Sequence, residues 1–303
     1  MQKFLTGCAA TAVLAAGFMA PCAWAQTSGT LDKIKASGQI SLGVRDSSAL
    51  AYTLGNGKYV GFHTEMSERI VDDLSKLAGK PIKIVYTPVT SANRIPLVQN
   101  GTVDLECGST TNNLARQKDA AFAVTTYVEE VRIAVKATSG IKDIQDLNGK
   151  TVATTTGTTS VQHLRKNERA HNIDFKEVYG KDHADSFLML ESGRADAFVM
   201  DGSILAANIS RAKNPADFKI VGPALSVEPI ACMLRKDDPA FKKAVDDSIK
   251  RQIKDGSLAK LYDKWFVQPV PPTGRPIGLP LSESTKAAWD NPNDKPMEEY
   301  GNK

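Results

Sequence analysis

Arginine, hydroxyl and carboxylate side chains recur in this sequence directly after predicted β-strands. In open α/β sheets, ligands bind beyond the carboxyl ends of the strands, so we expect residues at those points to face a common cleft. A surface arginine is usually only solvated, and that alternative stays open for each arginine taken alone. This alternative is weaker for the whole set of residues, because charged and hydroxyl side chains follow predicted strands in both halves of the chain. The residues are Arg45, Ser91, Arg94, Ser109, Thr111 and Arg116 in the first half, and Thr158, Thr159, Ser160, His183 and Asp201 in the second.

The chemistry of this set favours a ligand that is a zwitterion with excess negative charge. Guanidinium groups pair bidentately with carboxylates. The turn at residues 157–160 opens a predicted helix, whose free N–H groups favour an anion. Asp201 suits an ammonium group, or alternatively caps the helix that follows it. His183 either joins Arg45 and Arg94 in a cationic cluster or is a capping or surface residue.

Sequence signals for catalysis, metal binding or a cofactor are weak. The four histidines share no spacing typical of a metal site, and the cysteines form no C-x-x-C pair. The chain has no G-x-S-x-G motif. Ser257-Leu258-Ala259-Lys260 matches S-x-x-K only formally, because it lies in a predicted amphipathic helix without the companion motifs. We therefore expect no catalytic residue, no metal and no cofactor.

Strands alternate with helices along most of the chain, which is typical of a parallel-sheet α/β architecture. The run Gly55-Asn56-Gly57 between apolar residues predicts a hairpin. Two blocks of alternation, before about residue 126 and after about residue 151, predict two lobes. The Pro-rich tail from residue 269 is either a surface wrap or a frayed end. Predicted strands cover residues 40–44, 82–86, 103–107, 151–155, 175–178, 195–200 and 230–234, and predicted helices cover residues 66–78, 93–99, 158–169, 186–191, 241–254 and 257–266.

The first 25 residues predict a secretory signal peptide cleaved before Gln26. A lysine precedes a short apolar run that ends in Ala23-Trp24-Ala25. The alternative, a transmembrane anchor, is weak because the run is shorter than the ~20 residues that a bilayer needs. Only Cys107 and Cys232 follow the signal, in a chain bound for an oxidising compartment. A disulfide is therefore the leading interpretation, and two unrelated buried thiols are the alternative.

The composition excludes several classes of protein. Of 303 residues, 42% are hydrophobic and 24% charged, which excludes disorder and a polytopic membrane protein. A net charge of +4 is too small to indicate a nucleic-acid partner. If Cys107 and Cys232 are bonded, the late strand returns to the first lobe and the second lobe is an insertion. We then expect lobe 1 to comprise residues 26–126 and 229–303, and lobe 2 to comprise residues 127–228.

Long segments of residues 29–272 resemble the periplasmic amino-acid-binding proteins of ABC transporters, and most closely the glutamate/aspartate-binding proteins. Runs of this length are far more specific than a short motif. One departure is Ala49-Leu50-Ala51-Tyr52, where the family usually has a Pro-aromatic pair, so the pocket wall is altered there. The matching segments are Thr90-Ser91-Ala92-Asn93-Arg94-Ile95-Pro96-Leu97, Asp104-Leu105-Glu106-Cys107-Gly108-Ser109-Thr110-Thr111-Asn112-Asn113, Arg116-Gln117-Lys118, Lys181-Asp182-His183, Asp185-Ser186-Phe187, Leu190-Glu191-Ser192-Gly193-Arg194-Ala195 and Cys232-Met233-Leu234-Arg235-Lys236-Asp237-Asp238-Pro239.

The resemblance implies a two-lobed periplasmic binding-protein fold that closes around its ligand, with the Cys107–Cys232 disulfide. We expect a monomer in the periplasm that binds L-glutamate or L-aspartate and delivers it to the inner-membrane subunits of an ABC permease. Hinges are expected near residues 125–128 and 224–229. Residue by residue, the resemblance implies that Arg116, Thr111 and Thr159 hold the ligand α-carboxylate, that Ser109 and Asp201 hold the α-ammonium, and that Arg45, Ser91, Arg94 and His183 hold the side-chain carboxylate.

An enzyme on the same scaffold, such as a periplasmic dehydratase or mutase, is the alternative function. An acid–base enzyme needs a titratable group that is free to move protons. The obvious candidates, Asp201 and His183, are assigned here to the charges of the ligand. A binding protein is therefore the favoured interpretation.

Overall fold

The computed structural model describes residues 29–300, which form two lobes, each built on a five-stranded sheet with helices against it. The predicted signal peptide lies outside the described residues. The strands are β1 (Gln39–Val44), β2 (Tyr52–Thr53), β3 (Tyr59–Val60), β4 (Lys83–Pro88), β5 (Leu105–Glu106), β6 (Ala120–Phe122), β7 (Tyr127–Lys136), β8 (Thr151–Thr155), β9 (Lys176–Gly180), β10 (Ala197–Asp201), β11 (Phe218–Ile230) and β12 (Met233–Arg235). The α-helices are α1 (Thr30–Ser37), α2 (Phe62–Ala78), α3 (Arg94–Gln99), α4 (Leu114–Gln117), α5 (Thr159–His171), α6 (His183–Glu191), α7 (Gly202–Arg211), α8 (Pro239–Lys254), α9 (Ser257–Tyr262), α10 (Glu283–Asp290) and α11 (Met297–Tyr300).

Both sheets are mixed rather than parallel. The first has the order β4-β1-β5-β12-β6, and the second has the order β11-β7-β10-β8-β9. The strands β4, β1 and β5 are parallel to one another, as are β10, β8 and β9, whereas β12 and β7 are antiparallel to their neighbours. The prediction of parallel sheets is therefore wrong for the strands next to the two crossings between lobes. These strands lack a crossover helix before them, so they can pair in the opposite direction.

The chain changes sheet twice, once between β6 and β7 and once between β11 and β12. At these crossings β7 and β11 run side by side as an antiparallel pair, in which Glu129 lies opposite Glu228. Cys107 and Cys232 form the predicted disulfide, which joins the ends of two neighbouring strands in the first sheet. The late strand therefore returns to the first lobe.

Apolar spacing places the helices on the sheets. Helix α2 buries Met66, Ile70 and Leu74 against the first sheet and ends at Gly79, whose φ of 68° is a left-handed conformation that glycine adopts readily. In the second lobe, Leu164 of α5 packs in a core formed largely by strand residues. These packed helices hold the loops at the carboxyl ends of the strands in place.

The tail beyond residue 269 is a surface wrap rather than a frayed end. The Trp289 Nε1 donates to the backbone oxygen of Thr126 at 2.9 Å, and the Thr285 Oγ1 accepts from the Val128 N–H at 3.0 Å. The tail therefore contacts the chain where it passes into the second lobe. Within residues 29–300, no helix is long and apolar enough to span a bilayer.

Candidate functional site

The predicted site residues lie at the carboxyl ends of the parallel strands, as the strand-end rule requires. Arg45 follows β1, while Asp201 is the last residue of β10. Three contacts between the lobes bring the two groups together across the space that we call the cleft. These are Arg45 Nη2 to His183 Nε2 at 3.0 Å, Thr111 Oγ1 to Thr159 Oγ1 at 3.4 Å, and Arg116 Nη2 to the Gly157 oxygen at 3.4 Å. The residues that are buried there are Arg45, Ser91, Arg94, Ser109, Thr111, Thr159, His183 and Asp201, while Arg116 is partly exposed.

His183 is a neutral hydrogen-bond acceptor in this geometry. A guanidinium can only donate, so the His183 Nε2 must accept from Arg45, and its Nδ1–H then donates to the Thr155 Oγ1 at 3.1 Å. Burial, with the nearby charges of Arg45 and Arg94, holds the pKa of His183 well below its usual range. The expectation that His183 adds a positive charge to the cluster, or is a surface residue, is therefore wrong.

Two arginines supply positive charge at this end of the cleft. Arg45 Nη2 also donates to the Ser91 Oγ at 2.9 Å, and Arg94 Nη1 donates to the Ser109 oxygen at 3.0 Å. Burial and then repulsion from Arg94 lower the pKa of Arg45 to about 10, which leaves it charged at neutral pH. Among the described residues, the buried Arg45 Nη1 and Arg94 Nε have no hydrogen-bond partner. Unsatisfied buried donors are costly, so these atoms favour an anionic ligand.

A second anion-binding corner lies at Arg116 and the start of α5. Arg116 Nη1 donates to the Thr111 oxygen at 2.9 Å, so the guanidinium is held beside the loop after β5. Although part of the Arg116 side chain is exposed, desolvation by the surrounding residues, and next the charge of Arg94, lower its pKa. Thr158 makes no side-chain cap, because its hydroxyl donates to the Thr155 oxygen instead. The first N–H groups of α5 therefore lack a side-chain acceptor, which suits an anion.

Asp201 supplies a buried carboxylate opposite these cations. It occupies the N-cap position of α7, but its side chain makes no capping hydrogen bond, so capping does not account for it. Burial raises its pKa well above the usual range, and Glu129 and Glu228 raise it further. A ligand ammonium would compensate such a carboxylate.

Sequence reasoning missed three residues of the cleft. Thr155 is the last residue of β8, and the strand-end rule would have found it. Glu106 is fully buried in β5, accepts from the Thr110 Oγ1 at 2.6 Å, and acts to raise the pKa of Arg45. Glu228 is fully buried in β11. The sequence signals for these two glutamates are weak, because Glu106 shares its short run before Cys107 with Asp104, and only Glu228 is a single acid in an apolar run before Cys232.

Residues 40–268 match the family model of the bacterial extracellular solute-binding proteins, family 3. The chain belongs to this family, and it is a solute-binding protein rather than an enzyme. It is 44% identical over 292 residues to the L-glutamate/L-aspartate-binding protein of Pseudomonas aeruginosa, covering 95% of this chain and 97% of that protein. It is also 44% identical over 295 residues to the glutamate/aspartate import solute-binding protein of Escherichia coli K12, covering 95% of this chain and 98% of that protein.

The solved structures agree on the fold. A mutant of the arginine-binding protein ArgBP of T. maritima superposes with a TM-score of 0.70 at 27% sequence identity. That match covers 78% of this chain and 99% of the other. The two-lobed binding-protein fold is therefore the fold of this chain.

Proposed function

We propose that this protein captures L-glutamate or L-aspartate between its lobes and delivers it to the permease of an ABC transporter. The observation that carries the proposal is the pair of buried guanidiniums, Arg45 and Arg94, each with a donor that has no partner among the described residues. The names of the relatives that share 44% identity over nearly their whole length support the same ligands.

One end of the cleft is proposed to hold the groups common to all amino acids. The α-carboxylate would contact Arg116, Thr111 and Thr159, close to the N-terminus of α5. The α-ammonium would contact Ser109 and Asp201. These anchors alone would accept any amino acid, because each has the same two charged groups.

The other end of the cleft is proposed to select an acidic side chain. Arg45 and Arg94 supply the positive charge, Ser91 a hydroxyl, and His183 holds the Arg45 guanidinium through its Nε2. A neutral amino acid would leave two buried cations unpaired, which costs several kcal/mol. We therefore expect glutamine and asparagine to bind at least ~100-fold more weakly than the acids.

The proposed cellular setting is the periplasm, where the protein acts as a monomer after the signal peptide at residues 1–25 has been removed. The lobes are proposed to divide at residues 126/127 and 228/229 and to close about hinges near residues 125–128 and 224–229. Measuring the intact mass of the exported protein tests whether residues 1–25 are removed. A mass that includes these residues would contradict the proposed cleavage. Small-angle scattering tests the hinges, because glutamate should reduce the radius of gyration.

Calorimetry with glutamate, aspartate, glutamine and leucine tests the ligand assignment. Arg94→Ala should weaken glutamate selectively and so remove most of the discrimination against glutamine, whereas Asp201→Ala should weaken every amino acid alike. Arg165→Ala is the matched control, because Arg165 pairs with Glu177 on the surface of the second lobe. If the wild-type protein binds glutamine as tightly as glutamate, the roles proposed for Arg45 and Arg94 are wrong.

A further inference from the structure

Glu228 occupies the point where the two lobes and a crossing strand meet. Its Oε2 accepts from the Thr111 Oγ1 of the first lobe and, at 2.8 Å, from the Thr159 Oγ1 of the second. Its Oε1 accepts from the Ser226 Oγ at 2.9 Å and lies 2.9 Å from the His163 Nε2. One fully buried carboxylate therefore holds a hydroxyl from each lobe.

This arrangement decides which atoms of the two threonines can meet a ligand carboxylate. A threonine hydroxyl has a single proton. Because Thr111 and Thr159 both direct that proton at Glu228, each hydroxyl turns only lone pairs towards a ligand. Oxygen lone pairs repel a carboxylate, so any attraction from these residues must come from their backbone N–H groups.

The backbone N–H groups of both threonines are available for this contact. Thr111 lies opposite Ile230 in an antiparallel β-bridge. The residues on either side of this pair make the two hydrogen bonds of the bridge, which are 2.9 and 3.2 Å long, so the N–H of Thr111 points away from Ile230. Thr159 is the first residue of α5, and the N–H of a first helical residue has no acceptor within its helix.

We propose that Glu228 is a positioning residue of the binding site, which fixes the Thr111 and Thr159 hydroxyls across the closed interface and thereby aims their backbone N–H groups at the ligand α-carboxylate. This inference rests on the proposed function. Glu228 also acts to raise the pKa of Arg116, which favours the charged guanidinium beside the same threonines.

Replacing Glu228 should change the affinity for glutamate in opposite directions, according to whether Glu228 positions the two threonines or acts only through its charge. A buried negative charge near the site repels an anionic ligand, so removing it would tighten glutamate binding if charge were its only effect. If Glu228 positions the threonines, its removal weakens binding instead. Glu228→Met removes the acceptor at similar volume, whereas Glu228→Gln keeps one oxygen that both threonines can share.

A double-mutant cycle measured by calorimetry with L-glutamate tests the inference. We expect Thr159→Val and Glu228→Met each to weaken binding about 10-fold, since each removes a hydrogen bond to a buried charged group. Because the Thr159 hydroxyl acts only through Glu228, adding Thr159→Val to Glu228→Met should change the affinity less than about twofold. Glu228→Gln should recover most of the affinity lost in Glu228→Met.

The controls separate this inference from the proposed function. Thr151→Val makes the same chemical change at the opposite end of β8 and should leave the affinity unchanged. If wild-type protein binds neither glutamate nor aspartate, the proposed function and the inference both fail. Two results would overturn only the inference, provided that the wild-type protein binds glutamate. One is that the losses of affinity in Thr159→Val and Glu228→Met add up in the double variant, and the other is that Glu228→Met binds glutamate as tightly as the wild type.

A second measurement needs no variant and so does not depend on how Glu228→Met folds. In ¹⁵N-labelled wild-type protein, saturating glutamate should move the amide proton resonances of Thr111 and Thr159 downfield, because both N–H groups gain a carboxylate acceptor. Amide resonances that stay in place on binding would overturn the inference.

Discussion

Replacing Gly157 by alanine should weaken ligand binding by preventing the lobes from closing fully. Gly157 precedes α5 in the second lobe and faces the backbone of the first. A Cβ at this position would lie 2.8 Å from both the Cα and the N of Ala92 and 2.8 Å from the carbonyl carbon of Ser91. Carbon atoms in contact are normally about 3.5–4.0 Å apart. The obstructing atoms are backbone, so they cannot rotate away, and the lobes must separate.

The size of the effect follows from that separation. The Arg116 Nη2 to Gly157 oxygen distance is 3.4 Å, at the upper limit of hydrogen bonding, so further separation breaks this contact. It also moves the Thr159 hydroxyl of the second lobe away from the Thr111 hydroxyl of the first, which lies 3.4 Å from it. Overpacking of this kind costs about 1–3 kcal/mol. A cost of about 2 kcal/mol that applies only to the closed form corresponds to a roughly 30-fold weaker Kd for glutamate.

Gly140→Ala is the matched control for backbone strain. Gly140 also lies in the second lobe, and its φ of +76° is close to the +80° of Gly157, but a Cβ added to it would meet no atom of the described residues within 4 Å. Both substitutions place alanine in a left-handed conformation, so both destabilise folding, while only Gly157→Ala obstructs closure. Calorimetry and thermal unfolding of the two variants separate these effects. If Gly157→Ala binds glutamate within about twofold of Gly140→Ala, the lobes do not close to this distance.

The free energy of unfolding should also respond to two buried titratable groups and to the disulfide. Burial raises the pKa of Glu129 to about 7, so between about pH 5 and pH 7 the folded protein keeps a proton that the unfolded chain loses, and the free energy of unfolding should fall as the pH rises. In urea unfolding, Glu129→Gln should lack this dependence on pH. An equal dependence in the variant and the wild type would contradict the assignment. Burial lowers the pKa of His63 to about 4, so between about pH 6.5 and pH 4 the unfolded chain binds a proton at this residue and the folded protein does not. The free energy of unfolding should therefore fall as the pH drops from about 6.5 to 4. His63→Gln should reduce this loss of stability at low pH in the same urea measurement. An unchanged loss would count against the role given to His63. Replacing Cys107 and Cys232 by serine should lower the free energy of unfolding by about 2–5 kcal/mol, because the disulfide closes a span of 125 residues, and an unchanged urea midpoint would refute this.

The order of strands was enough to predict which residues meet at the cleft, because the carboxyl ends of parallel strands gather at one edge of a sheet. Their roles in binding a ligand stay a prediction. Arg45 and Asp201 were found in this way although they lie in different lobes. The charge state of His183 could not be predicted, since it depends first on burial in the cleft and then on Arg45, which is 138 residues away in the chain and meets it only across the cleft. Such a contact has no local signal in the sequence.

Glu228 was missed because its strand was missed. Residues 218–230 contain Gly222, Pro223 and Pro229, which normally argue against a strand. In the structure β11 accommodates the first two through a shift of register between Val221 and Ser226. The tail helix α10 was missed for a related reason, because its helical residues are surrounded by a Pro-rich segment. The Ser282 Oγ caps its start by accepting from the Thr285 N–H at 3.1 Å, and the helix packs on β7.

The position of β12 in the first sheet limits the order in which the two lobes can fold as the chain emerges from its N-terminal end. Strand β12 lies between β5 and β6, and among the described strands it is the only neighbour of β6 in that sheet. A nascent chain that has not yet reached residue 233 therefore cannot complete its first lobe, whereas the strands of the second lobe are continuous in sequence and already present. The inserted lobe can thus become structured first, while β6 and the thiol of Cys107 stay unpaired until Cys232 and β12 have emerged.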